Sequence, residues 1–422
     1  MKTGMITQWY EPETGAAAHP SAIARSLAEH GHDVRVLTGF PSYPHGQIYP
    51  GYRMSLRQRE ERDGLSLLRV PAHHSHDDSA VRRALSLSSF SLSAATQVGW
   101  FRDTDACLVY LTPATVGLPA VLLKTLWRTP FVLYVQDLWP DSVTASGFVK
   151  ESAALPAIER TLRGMCVLLY RQASSIAVIA PGMRDVLVDR GVDPGKIHVV
   201  HNWVDEQVFQ PTPPDERFRG QLGDDGFWLM YAGGIGDIQR LETAVDALAL
   251  LPSRPEVRLA LVGDGVAVKR LKIKVAALGL HDRVRFFGHR TMAEMPGIMS
   301  AADAQLVCLQ DLPLFRATIP SKTQSVLACG RPLIVSAPGD AAELVERADA
   351  GVSCRPEDPQ ALADAIEHML AQGPAGRRAM GQRGRALYER EFASSVGGRR
   401  LTSLLEDAAG ARVRPRVSSG RT

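Results

Sequence analysis

The sequence predicts an α/β protein built from two doubly wound halves, each a parallel sheet with helices on both faces. Three observations predict it. Short β-branched and apolar runs alternate with longer amphipathic runs almost throughout, the pattern of successive βαβ units. The alternation pauses once, at Glu206–Gly226 ("EQVFQPTPPDERFRGQLGDDG"), a stretch rich in Pro, Asp and Gly, and then resumes. The 422 residues also exceed one ordinary core of roughly 150 residues.

The first half reads in order. Gly4–Gln8 is a strand. Ser21–His30 is a helix, with Ile23/Leu27 and Ala24/Ala28 at i, i+4 spacing and Gly31 at its end. Val34–Thr38, Leu67–Val70, Ala106–Leu111, Phe131–Val135, Ser175–Ile179 and His198–Val200 are further strands, most of them separated by helical runs. The second series runs Trp228–Ala232, a helix from Leu241, Arg258–Val262, a helix from Val266, Val284–Phe287, a helix from Ala293, Ala304–Cys308, a helix from Lys322, Leu333–Ser336, and a helix over Ala341–Ala348. Gln360–Leu405 reads as one long helical run, and the tail "GARVRPRVSSGRT" has too few apolar residues to pack. The expected domains are therefore 1–205, a linker at 206–226, a second sheet domain at 227–390, and a C-terminal helix and tail at 391–422. Ligands of such sheets bind at the C-terminal strand ends, so the site is expected in the cleft between the halves.

Bulk composition narrows the function. Hydrophobic residues make up 45% and charged residues 22%, as in soluble globular proteins. The formal charge of +3 gives no reason to expect nucleic acid. The five cysteines, Cys107, Cys166, Cys308, Cys329 and Cys354, are scattered with no CxxC pair, which reads as cytosolic thiols. No signal peptide and no membrane-length apolar run is read, so a cytoplasmic protein is expected. Arg82, Arg83 and the semi-apolar Ala84–Phe101 stretch leave peripheral membrane contact at residues 82–101 open, beside an ordinary surface helix.

Several stretches could carry chemistry. "FRATIPSKTQSVLACG" places Pro320 at a helix start, where its missing N–H costs nothing, followed by Ser321 and Lys322. Free N–H groups, a hydroxyl and a cation at the positive end of a helix suit a phosphate. "YAGGIGDIQRLET" puts Gly233, Gly234 and Gly236 between a strand and a helix. Its spacing is not G-x-G-x-x-G, which argues against a nicotinamide enzyme, but it suits a diphosphate. "LVGDG" (Gly263, Asp264) and "FFGHR" (His289, Arg290) end two further strands. In the first half, Gly15 and Ala16 let backbone approach a ligand and His19 opens a helix. In "VQDLWPDS", Asp137 at a strand end could orient or deprotonate a hydroxyl, whereas Asp141 could cap a helix from Ser142. "HHSHDD" (His73, His74, His76, Asp77, Asp78) is read as a solvated loop and not a metal site, because adjacent loop residues rarely converge on one ion.

Taken together, "TGFPSYPHGQIYPGYR", "VQDLWPDS", "HNWVD", "YAGGIGDIQRLET", "LVGDG", "FFGHR" and "IPSKTQSVLACGRPLI" resemble the retaining family-4 glycosyltransferases of GT-B fold, within them the transferases of colanic-acid, capsule and O-antigen assembly. The resemblance covers about residues 1 to 370. It implies two Rossmann-like domains facing across a cleft and a nucleotide-sugar donor, a UDP-linked N-acetylaminosugar. It implies a glycan or lipid-linked acceptor, with a small-molecule acceptor as the alternative. The Gly15–Ala18 loop would approach the donor diphosphate. Gly233, Gly234, Gly263, Ser321 and Lys322 would hold it from the other half. His289 and Arg290 would face the base, and Asp137 and His19 the sugar and acceptor. Lys322 and Arg316 would stabilise the leaving diphosphate, so neither metal nor other cofactor is expected. Front-side attack is implied, with no covalent glycosyl-enzyme. The sequence departs from the family at two glutamates, whose places are taken by Ala317 and Ser325, and at a lysine, replaced by Gln239. Ser325 or Gln324 would then hold the ribose by a neutral hydrogen bond, or a neighbouring acid such as Asp264 would compensate. A nucleotide-sugar-binding protein without turnover is the reading those losses would favour.

Overall fold

The computed structural model describes residues 1–13, 15–43, 46–73, 80–142, 155–223 and 226–413. The chain divides into two compact units: Met1–Val200 with the returning C-terminal segment from Gly397, and His201–Val396.

The first unit holds an eight-stranded sheet of order β3-β4-β2-β1-β5-β6-β7-β8. Its strands are β1 (Lys2–Ile6), β2 (Asp33–Gly39), β3 (Gln58–Arg62), β4 (Leu65–Val70), β5 (Ala106–Leu111), β6 (Phe131–Val135), β7 (Ser175–Val178) and β8 (Ile197–Val199). All pairs are parallel except β3 against β4. Parallel strands with helices on both faces must be apolar throughout, and β5 and β6 are buried at every residue. β3 went unread in the sequence because "QREER" has no apolar residue; as an antiparallel edge strand it needs none.

The second unit is a six-stranded, all-parallel sheet of order β11-β10-β9-β12-β13-β14. The strands are β9 (Phe227–Ala232), β10 (Val257–Val262), β11 (Val284–Gly288), β12 (Ala304–Cys308), β13 (Leu333–Ser336) and β14 (Gly351–Cys354). Leu229, Leu259 and Leu261 pack with Val245, Leu248 and Ile366 from the covering helices into one core. β14, "GVSC", lies at the sheet edge, is only partly buried and carries Gly and Ser at alternate positions, so it gives no continuous apolar run.

Three expectations about organisation are corrected. Residues 206–226 are not a bare linker. Asp215 accepts from Phe218 N–H at 2.7 Å and starts the helix Glu216–Leu222, whose Phe218 and Leu222 are buried in the second unit. The Pro-Pro-Asp sequence is a helix entry as much as a tether. The boundary falls after Val200, and residues 391–396 stay with the second unit. The run read as one helix is three, Pro359–Ala371, Gly373–Leu387 and Ser394–Val413. Gly373 at φ +62° breaks the first join, and a π-turn at Tyr388–Phe392 precedes the second. The last helix packs on the first unit. A Cβ on Gly398 would come within 2.1 Å of Ser26 Oγ, so the helix approaches closely there.

No described helix is long and apolar enough to cross a membrane. All five cysteines are free thiols, and only Cys354 is partly exposed.

Candidate functional site

Each unit presents its candidate residues at the C-terminal ends of its strands. In the first unit, the β1 strand ends in a loop and the 3-10 turn Gly15–Ala18, which leads directly into the helix His19–Glu29. Gly15 has φ +68°, and a Cβ there would meet nothing within 4 Å, so the loop's outer surface is open. The loop is braced from beneath by a residue the sequence reading missed. Glu13 is buried, and its carboxylate accepts from Tyr10 N–H at 3.0 Å and from Ser42 and Tyr43 N–H at 2.8 Å each. Burial still raises its pKa above the usual carboxylate value. Arg69, also missed and fully buried, joins the loop to β2 and β3 through Gly39 C=O at 2.9 Å and Glu60 at 2.8 Å. Their only signal was a charge inside or beside an apolar run.

His19 opens that helix beside two tyrosines. Its ring lies 5.8 Å from Tyr110 on β5 and 6.4 Å from Tyr134 on β6, and the tyrosines meet edge-on at 6.0 Å. Both imidazole nitrogens are buried. Burial lowers the pKa to about 3, so the ring is neutral at working pH and offers one donor and one acceptor. Asp137 follows β6. Burial raises its pKa to about 6, and its charge is felt at Tyr110, which links it to the His19 cluster. Asp141 does something else: its carboxylate pairs with Arg190, which also donates to Trp139 C=O at 2.9 Å.

In the second unit, three strand-end loops lock together. Gly233 N–H donates to Val262 C=O at 2.9 Å, Gly263 N–H to Gly288 C=O at 2.8 Å, and Ile235 N–H to Asp264 C=O at 2.9 Å. A Cβ on Gly263 would lie 1.9 Å from Gly233 O. Gly233 (φ +136°) and Gly263 (φ +135°) are glycines for conformation and for space.

Lys322 lies against this loop. A Cβ on Gly233 would come within 2.3 Å of Lys322 Cε, and the ammonium stands 5.1 Å from the Tyr231 ring centroid. Tyr231 also donates to Gly234 C=O at 2.6 Å, so one buried ring supports both loop and cation. Burial lowers the Lys322 pKa, and among the described residues no carboxylate pairs with it. The helix Ser321–Ala328 begins here, with Pro320 as its cap residue (φ −59°, ψ 140°) and not inside its first turn as expected. Ser321 is exposed at the first helical position. A desolvated ammonium, a helix N-terminus and a glycine loop converge on one place, which is what an oxyanion or diphosphate requires.

Other expected residues are engaged differently. Ser325 donates to Ser321 C=O at 3.2 Å, leaving its oxygen able only to accept from a ligand. Gln239 Oε1 accepts from Gly236 N–H at 2.9 Å and so closes its own loop. Asp264 is exposed and accepts from Gly265 N–H at 2.8 Å. Arg316 is well exposed and pairs with Asp311 at 3.2 Å, so its charge is already met. His289 is exposed; Arg290 lies over the Phe218 ring at 5.9 Å. His74, His76, Asp77 and Asp78 lie outside the described residues, and His73 is exposed with its N–H on Ser89 Oγ. Among the described residues no group of three or more His, Cys, Asp or Glu is placed to hold a metal ion.

Residues 14–203 match the glycosyl transferase 4-like domain, and residues 214–387 match the glycosyl transferases group 1. The chain belongs to the family-4 glycosyltransferases. This glycosyltransferase is 27% identical over 380 residues to the putative colanic acid biosynthesis glycosyl transferase WcaI of Escherichia coli K12, covering 86% of this chain and 90% of that one. It is 25% identical over 277 residues to the probable glycosyltransferase WbjE of Pseudomonas aeruginosa, covering 64% and 66%. Its fold matches Anabaena HepE, solved in complex with UDP, at a TM-score of 0.71 and 18% identity, over 96% of this chain and 100% of that one. The fold is thus GT-B.

Proposed function

We propose that this glycosyltransferase transfers an N-acetylaminosugar from a UDP donor, with retention of configuration, to a glycan or lipid-linked hydroxyl. The observation that carries the donor side is Lys322, a half-buried ammonium without a carboxylate partner among the described residues, set against the Gly233 loop. A partly desolvated cation left unmatched carries a cost that an arriving anion offsets. As the sugar leaves, negative charge grows on the diphosphate oxygens. The Lys322 ammonium and the N–H groups at Ser321 and Lys322 meet it, so the proposal requires no metal. The choice of UDP rests on the shared fold with HepE, whose complexes hold UDP and UDP-glucose.

Asp137 and neutral His19 serve the other partner. Near pH 7 Asp137 is largely a carboxylate and accepts from the acceptor hydroxyl, holding its oxygen for attack. In front-side displacement the hydroxyl proton passes to the departing diphosphate oxygen, so no second carboxylate at a hydrolase spacing is needed. Arg316 is not given a role in this chemistry, since Asp311 already pairs with it.

The test is a donor screen without added metal, following release of the nucleotide and the anomeric signal of the product by NMR. UDP-N-acetylglucosamine or UDP-N-acetylgalactosamine is expected to turn over faster than UDP-glucose, giving a product of unchanged anomeric configuration. Inverted product, or faster turnover of UDP-glucose, would overturn the corresponding part of the proposal.

A further inference from the structure

The face of the first sheet opposite the helix His19–Glu29 is only partly covered. The helix Ala80–Thr96 packs over β2 and β4 and then ends. Beyond its end lies an open groove of 480 Å³ whose wall is built mainly from arginines: Arg35, Arg57, Arg59 and Arg102, with Trp100 and Asp103. The sheet register explains the cluster. Arg59 on β3 pairs with Leu68 on β4, and Arg35 on β2 pairs with Ser66, two residues earlier on that strand. Residues two apart share a face, so these side chains and Leu68 pave one surface.

The charge of this groove is not internally balanced. Arg35 is neutralised by Asp103 at 2.7 Å and donates to Trp100 C=O at 3.1 Å. Asp103 also takes Lys2 at 3.1 Å, and these cations hold its pKa at about 2. Arg57, Arg59 and Arg102 are exposed and, among the described residues, pair with no carboxylate. Glu61, the next residue on Arg59's face of β3, is occupied with Ser66 Oγ at 2.7 Å and does not line the groove. Three free guanidiniums around a concave surface beside an indole do not serve packing. They form donor forks that match phosphate oxygens.

We infer that this groove is a second anion site, for a phosphomonoester, diphosphate or phosphodiester group, separate from the Lys322 site. None of its residues lies at the C-terminal strand ends that carry the transfer chemistry. The phosphate could be carried by a soluble phosphorylated compound or by an anionic lipid headgroup. Leu56 (87% exposed), adjacent to Arg57, gives the lipid source an apolar contact.

Inorganic pyrophosphate is the probe, titrated by calorimetry at low salt into three proteins: wild type, Lys322→Ala, and Arg57→Gln/Arg59→Gln/Arg102→Gln. Lys322→Ala is expected to retain a site that the triple variant has weakened at least tenfold, and that site should weaken as salt is raised. A second variant, Arg57→Gln/Arg59→Gln, guards against misfolding and should show a smaller loss. Wild-type pyrophosphate binding in the triple variant, or binding lost entirely with Lys322→Ala, would overturn the inference. Sedimentation with phosphatidylglycerol vesicles but not phosphatidylcholine vesicles, lost in the triple variant, identifies a lipid headgroup as the source. Pyrophosphate binding without vesicle binding identifies a soluble one.

Discussion

The chemistry proposed for the first unit depends on how burial shifts two side chains in opposite directions. Burial raises Asp137 from the ordinary 3.8 to about 6 and lowers His19 from 6.5 to about 3. Both shifts favour the neutral form, as desolvation must. Below about pH 4, Asp137 is protonated folded or unfolded and costs nothing. As pH rises to 6 the unfolded chain ionises first, and above 6 the folded state carries the full penalty of a buried charge. Asp137→Asn is therefore expected to stabilise the protein at pH 7–8 by on the order of 2 kcal/mol, to leave it unchanged at pH 3.5, and to lower kcat. Urea denaturation at the two pH values checks the first part. In the wild type kcat should rise with pH through a limb near 6, absent in the variant. His19 adds acid sensitivity of its own: stability falls as pH drops from 6.5 toward 3, where the unfolded imidazole is charged and the buried one is not. The sequence pointed to Asp137 and His19 by their places at a strand end and a helix entrance. It gave no sign of Tyr110 and Tyr134, whose rings pack beside His19, because tyrosines in apolar runs look like core.

Among the elements, the glycine loops of the second unit show what a sequence can and cannot say. Glycines after strands marked "YAGGIG", "LVGDG" and "FFGH" as turns. That the three turns bond to one another emerges only with the sheet order, which sets β9, β10 and β11 side by side. Gly263→Ala would force a Cβ onto Gly233 O at an unfavourable φ and should cost at least about 3 kcal/mol while displacing the loop beneath Lys322. Thermal melts and donor turnover should both show it, whereas Gly234→Ala, with open space at its Cβ, should be mild in stability. The parallel strands were legible because burial on both faces demands continuous apolar runs. β3 and β14 were not, since both are edge strands only partly buried, one polar throughout and the other with Gly and Ser at alternate positions. Gln239 and Arg316 looked available for ligand on sequence position alone; their partners, Gly236 N–H and Asp311, are short-range contacts that a motif does not reveal.

At the scale of the whole molecule, two sheets were readable but the path of the chain between them was not. The C-terminal helix returns to the first unit, where Leu401 and Leu405 are fully buried, Arg400 donates to Val199 C=O at 3.2 Å, and Gly398 seats on Ser26. The sequence showed most of it only as the end of one helical run, Gln360–Leu405, and "SSVGGRRLTSLLEDAAG" carries no sign of which unit it covers. Deleting residues 397–422 should therefore destabilise the first unit selectively, splitting a calorimetric melt by lowering one transition and leaving the other. A melt in which both transitions are unchanged would contradict that packing. Donor binding at Lys322 is read from the thermal stability of wild type and Lys322→Ala during titration with UDP, GDP, ADP and dTDP, without added metal. At about a hundred times its dissociation constant a ligand adds roughly 2.7 kcal/mol. A clear, saturable rise in Tm is expected with UDP, smaller or absent with the others, and lost in a Lys322→Ala protein that still folds. No shift with any nucleotide, or an undiminished UDP shift in the variant, would contradict donor binding at Lys322.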